Sequence, residues 1–180
     1  MSETLQTEPD RWEPSPYARA VMVFVSALEK ASQGEHGLLD KGDVAALRRM
    51  DVTIPAPAFW KLAAAGGEAI NRHNETRWAL VAKCMAIMTP FHHRQGSAPG
   101  AALRDAGFSQ SSEIRITRLL NADDSNFDDY VTGACRYLAA KAKAVDWLSF
   151  ARLLLERDDR SRNALARDFY SISSKDGDQQ

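Results

Sequence analysis

Helix-breaking residues and helix caps divide this sequence into short segments, and this punctuation constrains the fold more than any other feature. Proline or glycine, often beside a serine, aspartate or asparagine, recurs along the whole chain, a pattern typical of helix starts and stops. Alternating polar and apolar stretches joined by hairpin turns, which would indicate strands, are missing. The sequence therefore predicts an all-α fold of about eight or nine helices.

The caps and breakers also predict where these helices lie. Ser15 and Pro16 start the first one, because serine is a preferred N-cap and proline fits the first helical turn. The predicted segments are 17–31, 44–50 with Asp43 as the cap, Pro57 to Gly66, Asn74 to Pro90, 99–106, 113–120, Asn126 to about Lys143, a helix after Asp146, and 161–172.

The length of the chain bounds its organisation. The 180 residues suffice for one good core or for two small helical lobes. Residues 91–99 are rich in histidine, glycine and proline, and they are the best place to divide two lobes. We expect a disordered arm at 1–15, an N-terminal helical-bundle lobe at 16–90, a C-terminal lobe at 98–172 and a tail at 173–180.

Composition indicates an ordinary globular protein of the cytoplasm. The hydrophobic fraction is 44% and the charged fraction 26%, both typical of such proteins. No apolar run approaches the ~20 residues that span a membrane, so no membrane partner is expected. The N-terminus is acidic and polar, unlike a signal peptide. Cys84 and Cys135 lie in apolar helical segments without a C-x-x-C arrangement, and we interpret them as reduced core thiols.

The net charge of −1 conceals a basic centre. Between Arg48 and Leu120 there are ten cationic side chains against five anionic ones, a net charge of +5. The first thirteen residues carry −3, and four aspartates cluster at 123–129. Such segregation of charge suits an anionic partner.

Motifs that carry chemistry are missing. His92 and His93 are adjacent, so regular structure would point them in different directions, and no second metal-ligand pair accompanies them. The aspartates at 123–129 flank a helix start, where the helix dipole stabilises them. The two glycine-rich motifs that bind phosphate groups, G-x-x-x-x-G-K-[ST] and G-x-G-x-x-G, do not occur. The G-x-S-x-G motif that carries a nucleophilic serine is also missing. We therefore expect no catalytic residue, no metal and no cofactor.

Basic residues at helical spacing are the remaining candidates for a binding site. Arg115 and Arg118 are three apart and share one helix face. Arg136 and Lys143 are seven apart, two turns of one predicted helix. Arginine matches phosphate oxygens in geometry, and a rigid helix holds it in place. The residues alone leave open the alternative that such arginines bond helix C-termini or acidic neighbours.

Several segments, taken in order, resemble one protein family. The strongest matches are L-R-R at Leu47 to Arg49, G-x-x-L at Gly100 to Leu103, E-x-R-I-x-x-L-L-x-A-D at Glu113 to Asp123, and V-D-W at Val145 to Trp147. Their order and spacing resemble the CasB family, the small subunit of the type I-E CRISPR surveillance complex called Cascade. The resemblance extends from about Arg19 to Ile172.

This resemblance implies a function. Members of the family are all-helical, form two lobes and are not enzymes. Two copies lie beside the guide RNA and the backbone subunits of Cascade, bind nucleic acid without reading its sequence and stabilise the opened R-loop, with the displaced DNA strand along their basic surface. It implies as partners guide RNA, target DNA, a second copy of the chain, and the Cascade backbone and large subunits.

The nucleic-acid-binding residues that we predict come from two sources. The family motifs carry over Arg48, Arg49 and Arg115. Helical placement adds Arg118, Lys83, Arg136 and Lys143. Three other functions remain as alternatives: a helix-turn-helix regulator built from residues 99–120, an enzyme using His92 and His93, and a pure scaffold whose arginines all serve subunit contacts.

Overall fold

Nine α-helices make up most of the described chain, which comprises residues 14–90, 93–107 and 113–171 of a computed structural model. They are α1 (Pro16–Gln33), α2 (Lys41–Arg49), α3 (Pro57–Gly66), α4 (Glu75–Met88), α5 (Pro99–Asp105), α6 (Glu113–Leu120), α7 (Phe127–Ala140), α8 (Trp147–Glu156) and α9 (Asp159–Tyr170). Within these ranges β-structure is limited to two isolated bridges. The all-α prediction is confirmed, whereas most of the predicted arm and tail lies outside the described residues.

Local capping explains why α1 and α8 begin where the sequence predicts. The Ser15 side chain accepts a hydrogen bond from the Ala18 amide at 3.2 Å, which satisfies one of the free N–H groups at the start of α1. Gly34 ends α1 in the left-handed conformation, with φ of 77°. Asp146 caps α8 through the Leu148 amide at 3.0 Å. These predicted boundaries are confirmed.

Two helices begin earlier than predicted, because an aspartate further upstream is the cap. Asp40, not Asp43, precedes α2, and the two residues form a capping box: Asp40 Oδ1 accepts from the Asp43 amide at 2.8 Å, and Asp43 Oδ2 accepts from the Asp40 amide at 3.2 Å. Asp158 caps α9 in the same way through the Ser161 amide at 2.8 Å. The prediction of a start near Ser161 is therefore wrong by two residues.

The end of α7 also differs from the prediction, and the difference moves Lys143. The helix ends at Ala140, and Ala142 has a φ of 50°. The Lys143 amide donates to the Leu138 carbonyl at 2.9 Å, and the Ala142 amide donates to Ala139 at 3.0 Å, which together form a Schellman motif. Alanine stands where glycine is usual, so the sequence lacked the expected stop signal. Lys143 consequently does not share a helix face with Arg136.

Helix α4 lies at the centre of the hydrophobic core. It packs against α1, α2, α3, α7 and α8, and its residues from Trp78 to Val81 are all buried. The largest fully buried side chains are Trp78, Trp147, Phe24, Phe59, Phe127 and Phe150. This core is continuous between residues 16–90 and 98–171, and the division into two lobes stays a prediction. The sequence of α3 predicts that Trp60 faces the core together with Phe59 and Leu62, but Trp60 is 47% exposed.

The two cysteines lie where α4 packs against α7. Both are free and buried. Burial raises the pKa of the Cys135 thiol, and the neighbouring Cys84 thiol raises it further. Because both are buried among apolar side chains, the two cysteines act as small core side chains, as predicted.

Candidate nucleic-acid interface

A groove of about 430 Å³ separates the exposed faces of α6 and α7. Its lining residues are Arg115 and Arg118 from α6, and Asp129, Tyr130, Gly133, Ala134, Arg136 and Tyr137 from α7. Ile116 and Leu119 on the opposite face of α6 are buried, so the amphipathic helix turns its arginines outward. We call this the arginine groove. It brings together three of the seven predicted binding residues, Arg115, Arg118 and Arg136.

Tyr137 forms part of the surface of the arginine groove. Its hydroxyl donates to the Ala106 carbonyl at 3.0 Å, which holds the ring in place. The guanidinium carbon of Arg115 lies 5.9 Å from the ring centroid, and Lys141 Nζ lies 6.0 Å from it. Both distances fall within cation–π range. Arg115 and Lys141 thus stand beside an aromatic ring that forms part of the groove surface.

The positive charge of the arginine groove is not neutralised by ion pairing within the described chain. The ion pairs there join Lys61 to Asp43, Arg104 to Asp105, Arg152 to Glu156, and Arg157 to Asp124 and Asp128. Among the described lining residues of the groove, Asp129 alone is acidic, and no described ion pair includes it. Three guanidinium groups are therefore available to a ligand.

Arg48 and Lys83, by contrast, hold two helices together. Arg48 lies on α2 and donates to the carbonyl oxygens of Ala86 at 2.8 Å and Thr89 at 3.0 Å, at the C-terminal end of α4. Lys83 lies on α4 and donates to the Met50 carbonyl at 2.9 Å, at the C-terminal end of α2. Each helix thus supplies the cation that satisfies the other's last carbonyl groups. Nucleic-acid contact by either residue stays a prediction.

Replacing Arg48 with alanine is expected to destabilise the protein by about 1–2 kcal/mol, because two carbonyl groups lose a charged donor. Arg49 is the matched control: it is the neighbouring residue and is exposed like Arg48, but its side chain makes no hydrogen bond or ion pair in the described chain. Its replacement with alanine should change stability by less than about 0.5 kcal/mol. Urea unfolding measures both, and equal effects of the two substitutions would contradict the structural role of Arg48.

The remaining predicted residues do not join the arginine groove. Arg49 is exposed at the end of α2, and Lys143 is half-buried beyond the end of α7. Neither lines the groove. Tyr137 lines the groove and Lys141 lies over its ring, although neither residue is among the seven predicted from the sequence. Two tyrosines seven residues apart, beside Arg136, were the signal available.

The acidic cluster has a structural role. Arg157, whose side chain is only 10% exposed, bonds Asp128 at 2.7 Å and Asp124 at 3.3 Å, and its guanidinium lies 4.7 Å from the Phe127 ring centroid. A hydrogen bond from the Ser125 hydroxyl lowers the pKa of Asp123, with two further bonds from backbone amides. Asp123, Asp124 and Asp128 thus take part in hydrogen bonds and ion pairs at the start of α7, unlike a catalytic acid–base pair, which needs a pocket that shifts one pKa.

In the described part of the chain, the histidines considered as metal ligands are not arranged to bind a metal ion. His93 is half-buried, and its Nδ1 accepts a hydrogen bond from the Trp147 amide at 3.3 Å. His92 lies outside the described residues. Among those that are described, no three histidine, cysteine or acidic residues come close enough to hold a metal ion.

No described helix is both long and apolar enough to cross a membrane.

Comparison with known proteins assigns the chain to a family. The architecture first defines a class: a small, all-helical protein built around one central helix, with an arginine-lined groove on its surface. Within this class, the sequence model of the CRISPR-associated protein Cse2 family matches residues 43–170. The chain belongs to the Cse2 family, and the resemblance to CasB is confirmed. No curated protein gives a significant match.

Solved structures agree with this assignment. A chain of E. coli Cascade bound to a PAM-containing double-stranded DNA target is 25% identical, with a TM-score of 0.65 over 82% of this chain and 92% of that one. CasB from Thermus thermophilus is 22% identical, with a TM-score of 0.63 over 84% and 98% of the two chains. CasB from M. ruber is 21% identical, with a TM-score of 0.59 over 88% and 94%.

Proposed function

We propose that this protein is a non-catalytic small subunit of a cytoplasmic type I-E Cascade complex. It binds nucleic-acid backbone without sequence specificity and stabilises the R-loop that guide RNA forms with target DNA. The observation that carries the proposal is the arginine groove, where Arg115, Arg118 and Arg136 converge without a neutralising ion pair in the described chain. Family membership and the likeness to a chain of a DNA-bound Cascade support it.

The chemistry of the arginine groove suits phosphate rather than base recognition by hydrogen bonds. Guanidinium groups bond phosphate oxygens in pairs and keep their charge at every physiological pH. Such contacts release counterions and are independent of sequence. Because forming an R-loop exchanges one duplex for another of similar stability, a few backbone contacts suffice to shift the equilibrium. The proposed partners are the guide RNA, the target DNA with its displaced strand, a second copy of the chain, and the backbone and large subunits.

The test uses the assembled complex with Arg115, Arg118 and Arg136 all replaced by glutamate. We expect faster dissociation of target DNA and a smaller yield of R-loop at equilibrium, because three attractive contacts become repulsive. A control with Arg72, Arg160 and Arg167 replaced by glutamate makes the same change in net charge at exposed sites outside the groove. Size-exclusion chromatography verifies that both variants enter the complex.

The alternative functions predict different results, either for this experiment or for duplex binding by the isolated protein. Equal R-loop stability for the groove variant and the wild type would overturn the proposal and favour a scaffold. A sharp preference of the isolated protein for one duplex sequence would favour a helix-turn-helix regulator. The reciprocal capping by Arg48 and Lys83 supports a purely structural role for that pair of cations, so the experiment leaves them unchanged.

A further inference from the structure

The arginine groove has an aromatic lining as well as positive charge, and this combination indicates which kind of nucleic acid binds in it. Resting on the proposed function, we propose that the groove seats one unpaired nucleobase against its tyrosine-lined surface while Arg115, Arg118 and Arg136 hold the flanking phosphates. The ligand is then single-stranded, since a base inside a duplex is stacked on its neighbours and cannot enter a pocket without being extruded.

The size and lining of the groove fit a base. Its volume of about 430 Å³ lies within the roughly 300–1,000 Å³ of small-molecule sites, which combine apolar walls with a few polar groups. Tyr130 and Tyr137 are half-buried and line it together with Ala134. Aromatic side chains beside a cationic surface are the usual means of holding single strands, because any base can stack on them. A site for phosphate alone would have no need of this apolar surface.

Gly133 supplies an independent observation. It lies inside α7, where glycine costs about 1 kcal/mol relative to alanine. A Cβ atom built on Gly133 would meet nothing within 4 Å, so no packing within the described chain requires a glycine there. Gly133 does line the groove, and a side chain at this position would project into open space beside the tyrosines. Access for a ligand explains a glycine that the fold does not need.

Asp129 is the one acidic residue among the described lining residues of the groove. A phosphate placed beside this carboxylate would be repelled. An uncharged base meets no such repulsion, so the base is the part of the strand that suits the surface lined by Tyr130 and Tyr137. Charge and shape together favour insertion of a base over insertion of a phosphate.

The test compares two single-stranded DNA oligonucleotides with equal numbers of phosphates, one of mixed sequence and one in which the central nucleotides are abasic. Binding to the full-length protein is measured by fluorescence anisotropy at low salt. We expect the abasic strand to bind about 5- to 100-fold more weakly, which is the range of one stacked base. Gly133→Leu fills the groove with a good helix former and should lower the affinity for the normal strand by a larger factor than the affinity for the abasic strand, so that the ratio between the two strands falls towards one.

The outcomes separate this inference from the function on which it rests. If both strands bind equally, and both lose affinity when the three arginines are reversed, the base site is overturned and the backbone-binding function stands. If arginine reversal changes neither affinity, the backbone-binding function is overturned as well. Photocrosslinking of a 5-iodouracil strand supplies a direct measurement: crosslinks at Tyr130 or Tyr137 support the base site, and crosslinks confined to other residues contradict it.

Discussion

Glutamate in place of Arg115, Arg118 and Arg136 is expected to lower the affinity of the isolated protein for single-stranded DNA about 100-fold near 0.1 M salt. Each neutralised phosphate of a single strand contributes about 0.7 to the slope of log K against log salt. Three lost contacts therefore reduce the magnitude of this slope by about 2. Because the logarithm of the salt concentration is −1 at 0.1 M, a change of about 2 in the slope lowers log K by about 2 there, which is the expected 100-fold loss of affinity. A salt titration by fluorescence anisotropy measures both quantities.

The same titration on a matched variant separates local contacts from overall charge. Replacement of Arg72, Arg160 and Arg167 by glutamate changes the net charge by the same amount, at exposed positions outside the groove. The slope of this control should lie within about 0.7 of the wild-type slope, which is the contribution of one phosphate contact. Salt screens the attraction between charges that are further apart than a Debye length of about 10 Å. Identical slopes for the groove variant and the control would mean that the three arginines do not contact phosphate.

Replacing Gly100 with alanine is expected to destabilise the fold by about 3 kcal/mol, the largest effect of a single methyl group in this protein. Gly100 lies where α5 packs on α9. A Cβ atom there would clash with the backbone carbonyl oxygen of Leu165 and would stand 2.6 Å from the backbone nitrogen of Phe169. Because these are backbone atoms of a helix, they cannot move aside as a flexible side chain could, so one helix must shift. Urea unfolding measures the loss.

Gly133→Ala is the matched control for Gly100→Ala, and it should have the opposite sign. Both glycines are helical, and both changes add one methyl group. Gly133 has open space around its Cβ position, so alanine should stabilise the protein by about 0.5–1 kcal/mol through helix propensity alone. Equal stability of the Gly100→Ala variant and the wild type would show that α5 and α9 separate at little cost.

The family motif G-x-x-L at Gly100 to Leu103 acquires a physical explanation from this contact. Leu103 is fully buried, and Gly100, one turn earlier on α5, lets the backbone of α9 approach. The sequence shows the glycine at the start of a helix, where it is unfavourable, but the reason lies on a helix some 65 residues further along the chain. A propensity scale reports the local cost of such a glycine and not the contact that requires it.

Helix positions were predictable because their causes are local. A cap joins residues two or three positions apart, and proline and glycine act through their own backbone angles. The errors have local causes too: Asp40 and Asp158 compete with nearby polar residues for the cap, and Ala142 adopts a conformation that usually indicates glycine. The buried face of α1, with Val21, Phe24, Val25 and Leu28, follows directly from helical spacing.

The candidate site was only partly predictable. The spacing of Arg115 and Arg118 places both on one face of α6, whatever the rest of the chain does. Arg136 joins them only because α6 packs beside α7. The Arg48 side chain is hydrogen-bonded within the chain only because α2 packs against the end of α4. Both depend on contacts between residues far apart in the chain, such as Arg115 with Tyr137 and Arg48 with Ala86.

The sequence by itself determined the all-helical class, most helix boundaries and the buried face of α1, since these depend on interactions within one or two turns. Only the tertiary structure decided which cations form a surface and which serve as caps, because a guanidinium bonds whichever oxygen the packing brings near it. Arg48 meets carbonyl groups of its own chain, whereas Arg115, Arg118 and Arg136 converge around an open groove. That difference arises from how the helices pack, and no local pattern encodes it.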